Sequence, residues 1–331
     1  MTKNFQKESL LIRQSRHPLI PRFLGYDHSA MLEVCRRFSH VLPIAAILLI
    51  AGCSKKPEPA DHPRLTANVV LRDVTFRSVA LSREMQYRVI SPAKLSAGQT
   101  LSVVYLLHGG GGGFRDWSNY SDVAGFAESG LLLVMPEGAS SYYVNAVDPP
   151  QDRFEDYVVH DLIGDVEARF PVVRGRANRA IVGVSMGGFG AVNLALHHPD
   201  LYAFVGGISS AIDVPQRAFT IKRLQQSRHF DSLFGQHGSP TRRDNDPFIL
   251  AKAVDPKTAP YFFLTCGEQE GLLSSNREFA GLLARRQFKY EFHTAHGGHD
   301  WNQWNGWLRS LFQSLSEHLA SNSDLRQPRV Q

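Results

Sequence analysis

The sequence is poor in cysteine, and this excludes several classes of protein. Only three of its 331 residues are cysteines, namely Cys35, Cys53 and Cys266. Cys35 lies in a predicted signal peptide and Cys53 is a predicted lipidation site, so Cys266 has no partner for an intramolecular disulfide. No pair of cysteines has the spacing of metal ligands. We expect Cys266 to be a small buried residue at the end of a strand.

The chain also has little net charge outside its N-terminus. The formal net charge is +5, but seven of the 36 Lys and Arg residues and three of the 31 Asp and Glu residues lie in residues 1–52. The remainder is therefore nearly neutral, and the composition gives no reason to expect nucleic-acid binding.

Residues 31–52 have the pattern of a secretory signal peptide. Arg36 and Arg37 precede an apolar run at 41–51, and small residues follow it. This run is shorter than the roughly 20 residues that a transmembrane helix needs. We therefore expect export, with an uncleaved apolar N-terminal helix as the alternative.

The signal ends in Ile50-Ala-Gly-Cys53, which resembles the bacterial lipobox. In such proteins the cysteine is lipidated and becomes the mature N-terminus, and a following serine, here Ser54, resembles lipoproteins sorted to an outer membrane. We expect an exported, membrane-anchored lipoprotein on the periplasmic face or the outer membrane, with Met31 as the true start. Residues 1–30 would then be a non-native or disordered extension.

Three further regions follow the signal. Residues 53–68 are polar and rich in proline, as a tether would be. Residues 69–320 form the predicted domain, and 321–331 a polar tail. Within the domain, 211–259 is rich in charge, proline and glycine. We interpret it as an insertion above the sheet, either a wall or lid of a ligand site or a segment without function.

The domain alternates between strand and helix patterns. Two alternating segments, 74–79 and 86–90, predict an antiparallel pair. Continuous apolar strands are predicted at 101–107, 131–135, 180–184, 203–208 and 261–265, with a further strand at 290–294. Helical spacing is clearest at 154–170, and a last helix is predicted at 301–319. Apolar strands that alternate with helices indicate an α/β fold with a mostly parallel sheet covered on both faces.

A nucleophile elbow lies between one of these strands and the next helix. Gly183-Val-Ser185-Met-Gly187 matches G-x-S-x-G, in which the serine sits at a sharp strand-to-helix turn with its hydroxyl exposed. Glycines at 183 and 187 remove Cβ atoms that would clash across the turn. We therefore predict that Ser185 is a nucleophile rather than part of a structural turn.

A serine nucleophile needs a base and an acid, which follow it in the order Ser, Asp/Glu, His in folds of this pattern. His299 follows two glycines and precedes the last helix, and is preferred over His296; His293 lies within a strand. The acid is expected after the strand at 261–265, where Glu270 is preferred and Glu268 remains open.

A glycine-rich loop follows an early strand. Glycines 109–113 suit an oxyanion hole because they expose backbone N–H groups, and the N–H of Met186 is expected to be the second donor. His108 is expected to orient this loop. The loop lacks the lysine of a P-loop, so phosphate binding is not predicted.

Four side chains in loops at strand ends are candidates for the substrate pocket. They are Trp117, Tyr142, Tyr143 and Asn145. Aromatic residues in such places also anchor loops without touching a ligand. Both interpretations stay open at this point.

Together, His108-Gly-Gly, Gly183-Val-Ser-Met-Gly-Gly188, Cys266-Gly-Glu-Gln-Glu270 and Gly297-Gly-His-Asp-Trp301 resemble the putative esterase family of α/β-hydrolases, from about residue 74 to 319. This group includes esterase D, feruloyl and acetyl-xylan esterases, and mycolyltransferases. The resemblance implies the α/β-hydrolase fold, with Ser185 as nucleophile, His299 as base, residue 270 as acid and the N–H groups of Gly110 and Met186 as the oxyanion hole. Members usually have Asp where this chain has Glu270.

These observations predict a serine carboxylesterase that hydrolyses small or carbohydrate-linked esters through an acyl-enzyme. No metal or organic cofactor is implied, and the expected partners are an ester substrate and a membrane contacted through Cys53. The alternatives are acyl transfer to a sugar hydroxyl, an S-formylglutathione hydrolase-like thioesterase, and a non-catalytic surface binding module.

Overall fold

The structure is a computed structural model that describes residues 60–148, 152–217 and 224–324. The predicted extension, signal peptide, lipidation site and most of the tether lie outside the described residues, as does 325–331. Among the described residues, no helix combines the length and the apolar character needed to cross a bilayer.

Eight strands form one sheet in the order β1-β2-β4-β3-β5-β6-β7-β8. They are β1 (Val69–Ser78), β2 (Arg83–Pro92), β3 (Ser102–Leu107), β4 (Leu131–Pro136), β5 (Arg179–Val184), β6 (Phe204–Ile208), β7 (Tyr261–Gly267) and β8 (Tyr290–Ala295). β2 pairs antiparallel with β1 and β4, and the other neighbours are parallel. The predicted antiparallel pair and mostly parallel sheet are confirmed.

Ten α-helices lie in the described ranges. They are α1 (Asp116–Tyr120), α2 (Ala124–Ala127), α3 (Phe154–Asp156), α4 (Ile163–Arg169), α5 (Met186–His197), α6 (Leu224–Phe234), α7 (Pro240–Asp244), α8 (Pro247–Ala253), α9 (Leu273–Arg285) and α10 (Trp301–Asp324). The helical spacing at 154–170 holds, but a π-helical segment, Tyr157–Leu162, joins α3 to α4. The apolar repeat did not predict this segment. A π-helical segment changes the backbone hydrogen bonding, but its apolar side chains stay buried, so the sequence pattern resembles that of an α-helix.

The core lies on both faces of the sheet, because successive side chains of each parallel strand point to opposite faces. On β3, Val103, Tyr105 and Leu107 pack into one cluster with α5 and α9. Val104 and Leu106 pack into the other, with α1, α2 and α10. A strand buried on both faces reads as a continuous apolar run, so the alternating strand and helix pattern identified the fold class correctly.

The first described residues of the chain contact a buried arginine of the sheet. Arg88 on β2 is fully buried, and its guanidinium contacts Asp61 and Asp73 at 2.7 Å each and the Ser118 hydroxyl at 2.9 Å. Burial opposes its charge, but hydrogen bonds to the two carboxylates raise the pKa of Arg88 above its usual value. Residues 60–68, which the sequence assigns to the tether, therefore include part of an ion cluster of the domain.

The segment 211–259 carries α6, α7 and α8 between β6 and β7. Phe230 and Phe234 of α6 pack with Phe189 of α5 and with Val144, which lies between β4 and α3. The insertion is thus attached to the helix that follows the predicted nucleophile, on the side where the parallel strands end.

Candidate active site

Ser185 lies at a strained turn between β5 and α5. Its φ is +55°, in the left-handed region that L-residues seldom adopt. A Cβ on Gly183 would overlap the Gly187 carbonyl, and one on Gly187 would overlap the Leu107 carbonyl. The expected reason, a clash across the turn, is confirmed for Gly183. Gly187 is required for a different reason, because the turn packs against the end of β3. Strain of this kind persists where the surrounding structure enforces it, often at functional sites.

His299 reaches Ser185 from a loop between β8 and α10. Its Nε2 lies 2.8 Å from the Ser185 hydroxyl, and the side chain is 39% exposed. The loop bends at Gly297, whose φ is +154°. Of the other candidates, His296 is exposed, and His293 on β8 pairs with Glu291 at 2.8 Å. The structure therefore brings His299, and neither of the other two, to the serine.

Glu270 lies behind His299. Its Oε2 is 2.6 Å from His299 Nδ1, and its side chain is 1% exposed. The alternative acid, Glu268, is exposed and accepts a hydrogen bond from the Thr294 hydroxyl. A proton on Nδ1 that is donated to Glu270 leaves Nε2 free to accept the proton of Ser185.

The other oxygen of Glu270 is held by two donors. Its Oε1 accepts hydrogen bonds from the Gly267 N–H at 2.8 Å and the Ser209 hydroxyl at 2.6 Å. Ser209 in turn lies 3.1 Å from the indole Nε1 of Trp304. Because an indole only donates, the Ser209 oxygen accepts from Trp304 and its own proton is directed to Glu270. This chain of donors fixes which carboxylate oxygen faces His299.

Ser209 and Trp304 were not predicted from the sequence. They lie 95 positions apart, and no short motif joins them. The Trp304 ring also packs edge-on against His299, with ring centroids 5.0 Å apart. The only signal was that Trp304 lies in the first turns of the helix that begins directly after the histidine.

The glycine loop lies against the elbow. A Cβ on Gly109 would come within 3.5 Å of the Ser185 Cβ, and one on Gly110 within 3.9 Å of the Met186 Cβ. Met186 is the first residue of α5, so its N–H has no partner within the helix. The loop thus brings Gly110 beside Met186, next to the serine.

His108 connects the glycine loop to the segment that follows β4. It is buried, its Nε2 accepts a hydrogen bond from the Gly138 N–H, and its Nδ1 lies 2.8 Å from the Gly109 carbonyl. One ring nitrogen accepts and the other donates, as a neutral imidazole requires. His108 therefore has the orienting position expected of it, away from the serine hydroxyl.

Two of the four pocket candidates are buried anchors. Trp117 lies on the short helix α1 rather than in a loop, and its indole donates to the Leu107 carbonyl at 3.0 Å. The hydroxyl of Tyr143 donates to the His108 carbonyl at 3.2 Å. Tyr142 and Asn145 are partly exposed, and Tyr142 packs edge-on against Phe189.

This arrangement is suited to nucleophilic chemistry with proton transfer. A hydroxyl, an imidazole and a buried carboxylate lie in line beside candidate oxyanion donors.

Cys266, at the end of β7, is a free and buried thiol as predicted, and burial raises its pKa to about 12, so it is not a second nucleophile. Among the described residues, the one group of three that is arranged to hold a metal lies elsewhere, at Glu155, His197 and His198.

Comparison with known proteins gives consistent results. Residues 78–316 match the model of a family described as putative esterase. An acetyl esterase of Caldicellulosiruptor saccharolyticus is 24% identical over 226 residues, covering 66% of this chain and 85% of that protein. A diacylglycerol acyltransferase/mycolyltransferase, Ag85B of Mycobacterium avium, is 26% identical over 190 residues, which cover 52% of this chain and only 56% of that protein. An S-formylglutathione hydrolase from Staphylococcus aureus shares the fold, with TM-score 0.64 and 21% identity over 76% of this chain and 99% of that one.

Proposed function

Because the chain belongs to the putative esterase family, and is thus a carboxylic ester hydrolase, we propose that it works as a serine esterase on small or carbohydrate-linked esters through an acyl-enzyme. In this proposal Ser185 is the nucleophile, His299 the general base and Glu270 the acid that orients His299. The observation that carries the proposal is the unbroken line of hydrogen bonds from Glu270 through His299 to a serine at a strained elbow.

The reaction would proceed in two halves. Ser185 Oγ attacks the ester carbonyl carbon while its proton passes to His299 Nε2, and the N–H groups of Gly110 and Met186 stabilise the negative oxygen that forms. Collapse of this intermediate breaks the bond to the alcohol, which leaves with the proton from His299. Water then attacks the acyl-enzyme with His299 again as base, and the acid and the free serine are released.

The substrate class is proposed on the similarity to the acetyl esterase and on the predicted export. Acyl transfer, in which a sugar hydroxyl would take the place of water, is a second candidate. The similarity to the mycolyltransferase favours it. Product analysis with and without a competing sugar distinguishes them, since only a transferase accumulates the acylated sugar. The thioesterase alternative rests on a likeness of fold alone.

Replacement of the serine tests the mechanism. We expect Ser185→Ala to abolish hydrolysis of a short p-nitrophenyl ester and labelling by a fluorophosphonate probe, with an unchanged circular dichroism spectrum. Ser310→Ala, on the exposed side of α10, is the matched control and should keep both. Hydrolysis by Ser185→Ala would contradict the mechanism, and an unlabelled wild-type protein would favour the non-catalytic binding module.

We also propose export and lipid anchoring at Cys53, from the sequence pattern alone. Incorporation of a labelled fatty acid into the wild-type protein, and its loss in Cys53→Ser, is the expected result. Equal labelling of both proteins would contradict it. Removal of Met31 as a start codon should abolish the membrane-associated protein if translation begins there.

A further inference from the structure

A cluster of two histidines and a glutamate lies at the far end of α5 from the elbow. Glu155 belongs to α3, His197 is the last residue of α5, and His198 follows it. One oxygen of Glu155, Oε1, lies 3.0 Å from His197 Nδ1 and 2.8 Å from His198 Nε2. The twelve residues of α5 place the cluster about 18 Å from Ser185, so the proposed esterase mechanism does not use it.

The second nitrogen of His197 determines what the first one can do. His197 Nε2 lies 2.7 Å from the backbone carbonyl of Asp244 at the end of α7. A carbonyl only accepts hydrogen bonds, so Nε2 carries a proton. In neutral imidazole Nδ1 then has a lone pair, and this lone pair points at an oxygen of Glu155. Two lone pairs at 3.0 Å repel each other unless a positive species, either a second proton on His197 or a metal ion, lies between them.

We propose that Glu155, His197 and His198 bind a divalent cation of the zinc class, which supplies that positive charge. Two imidazole nitrogens and one carboxylate oxygen form the His₂Glu set that zinc accepts in proteins, with water as the fourth ligand. The three ligand atoms lie within 4.8 Å of one another. In a tetrahedral site with bonds of about 2.1 Å they would be about 3.4 Å apart, so the two distances from Glu155 Oε1, 3.0 and 2.8 Å, must open by about half an ångström.

The surroundings match those of a metal ligand. The hydrogen bond from His197 Nε2 to a backbone carbonyl is the usual outer partner of a metal-bound histidine, since it fixes the tautomer and the ring plane. The three side chains are 12–28% exposed, so an ion can enter and still be partly shielded from water. The ion would connect α3 and α5 directly, and α7 of the insertion through the Asp244 carbonyl. We therefore expect the ion to stabilise the contacts among these elements.

The test is zinc binding by the full-length protein, without a polyhistidine tag and stripped with a chelator. We expect one zinc per chain by calorimetry and elemental analysis. We also expect Tm to rise by roughly 5–10 °C at a zinc concentration about a hundred times the Kd. His198→Gln should weaken zinc binding at least tenfold and keep ester hydrolysis, which separates this proposal from that of the esterase mechanism.

The matched control is His293→Gln. His293 also lies 2.8 Å from a glutamate, Glu291, but this pair is not part of a group of three metal ligands among the described residues. The zinc affinity of His293→Gln should therefore stay within about twofold of that of the wild type. If His198→Gln does not fold, as judged by circular dichroism, Glu155→Gln replaces it. A visible Co²⁺ spectrum typical of four-coordinate nitrogen and oxygen ligands is the second readout. Absence of stoichiometric zinc, or equal affinity in His198→Gln and the wild type, would overturn the proposal.

Discussion

Replacement of Glu270 by glutamine is the most informative change at the site, because it keeps the shape and removes one charge. Oε1 accepts from the Gly267 N–H and from the Ser209 hydroxyl, whose proton is directed there by Trp304. The amide of Glu270→Gln must therefore place its oxygen at that position. Its NH₂ group then faces His299.

The consequence is a wrong tautomer at His299. An NH₂ group beside Nδ1 requires that nitrogen to accept, so the imidazole proton moves to Nε2, which can no longer accept the proton of Ser185. The equivalent amide substitution in a catalytic triad lowers kcat about 10⁴-fold, or about 5.5 kcal/mol in the barrier. We expect a loss of this size in kcat for a short p-nitrophenyl ester, with KM little changed.

The matched control is Glu268→Gln. Glu268 is exposed and contacts Thr294 rather than His299, so its kcat should stay within about twofold of the wild type. Retention of more than a tenth of the wild-type kcat by Glu270→Gln, or an equal loss of activity in the two variants, would contradict this tautomer change at His299.

Two further predictions concern the scaffold around the site. Gly183→Ala should lower the free energy of unfolding in urea by about 3 kcal/mol, because its Cβ overlaps the backbone of Gly187. Gly164→Ala, exposed on α4 with open space for a Cβ, should instead raise it by up to about 1 kcal/mol, and a similar loss in both would contradict the steric argument. With the other two cysteines replaced by serine, Cys266 should react with a thiol reagent at pH 8 only after denaturation, because burial raises its pKa to about 12. Rapid reaction of the folded protein would contradict this.

The parts of the molecule that follow from local patterns could be predicted from the sequence. Strands buried on both faces read as apolar runs, so the sheet and its mostly parallel order could be inferred. The elbow could be predicted because it is a short motif, and because Gly183 is required by a contact with Gly187, four residues along the chain. His299 could be placed next to it because the chain order of the triad in this fold is restricted.

The parts that depend on distant contacts could not be predicted. Ser209 follows β6 and Trp304 lies on α10, and they meet only because both elements pack around Glu270. The same holds for Glu155, which lies 42 positions from His197. The choice between Glu268 and Glu270 was likewise open, because two glutamates in one turn differ only in which of them points inward.

The ion cluster at Arg88 determines how far the chain can be shortened at its N-terminus. A fragment that begins at Val69 keeps every strand of the sheet, but it loses Asp61. Of the two carboxylates that lie 2.7 Å from the Arg88 guanidinium in the described residues, only that of Asp73 then remains. Removal of one of the two carboxylates from a buried guanidinium is destabilising, because the desolvated cation loses part of the charge that compensates it. The smallest stable fragment should therefore begin at or before residue 60, and its boundary is determined by charge neutralisation rather than by the first strand.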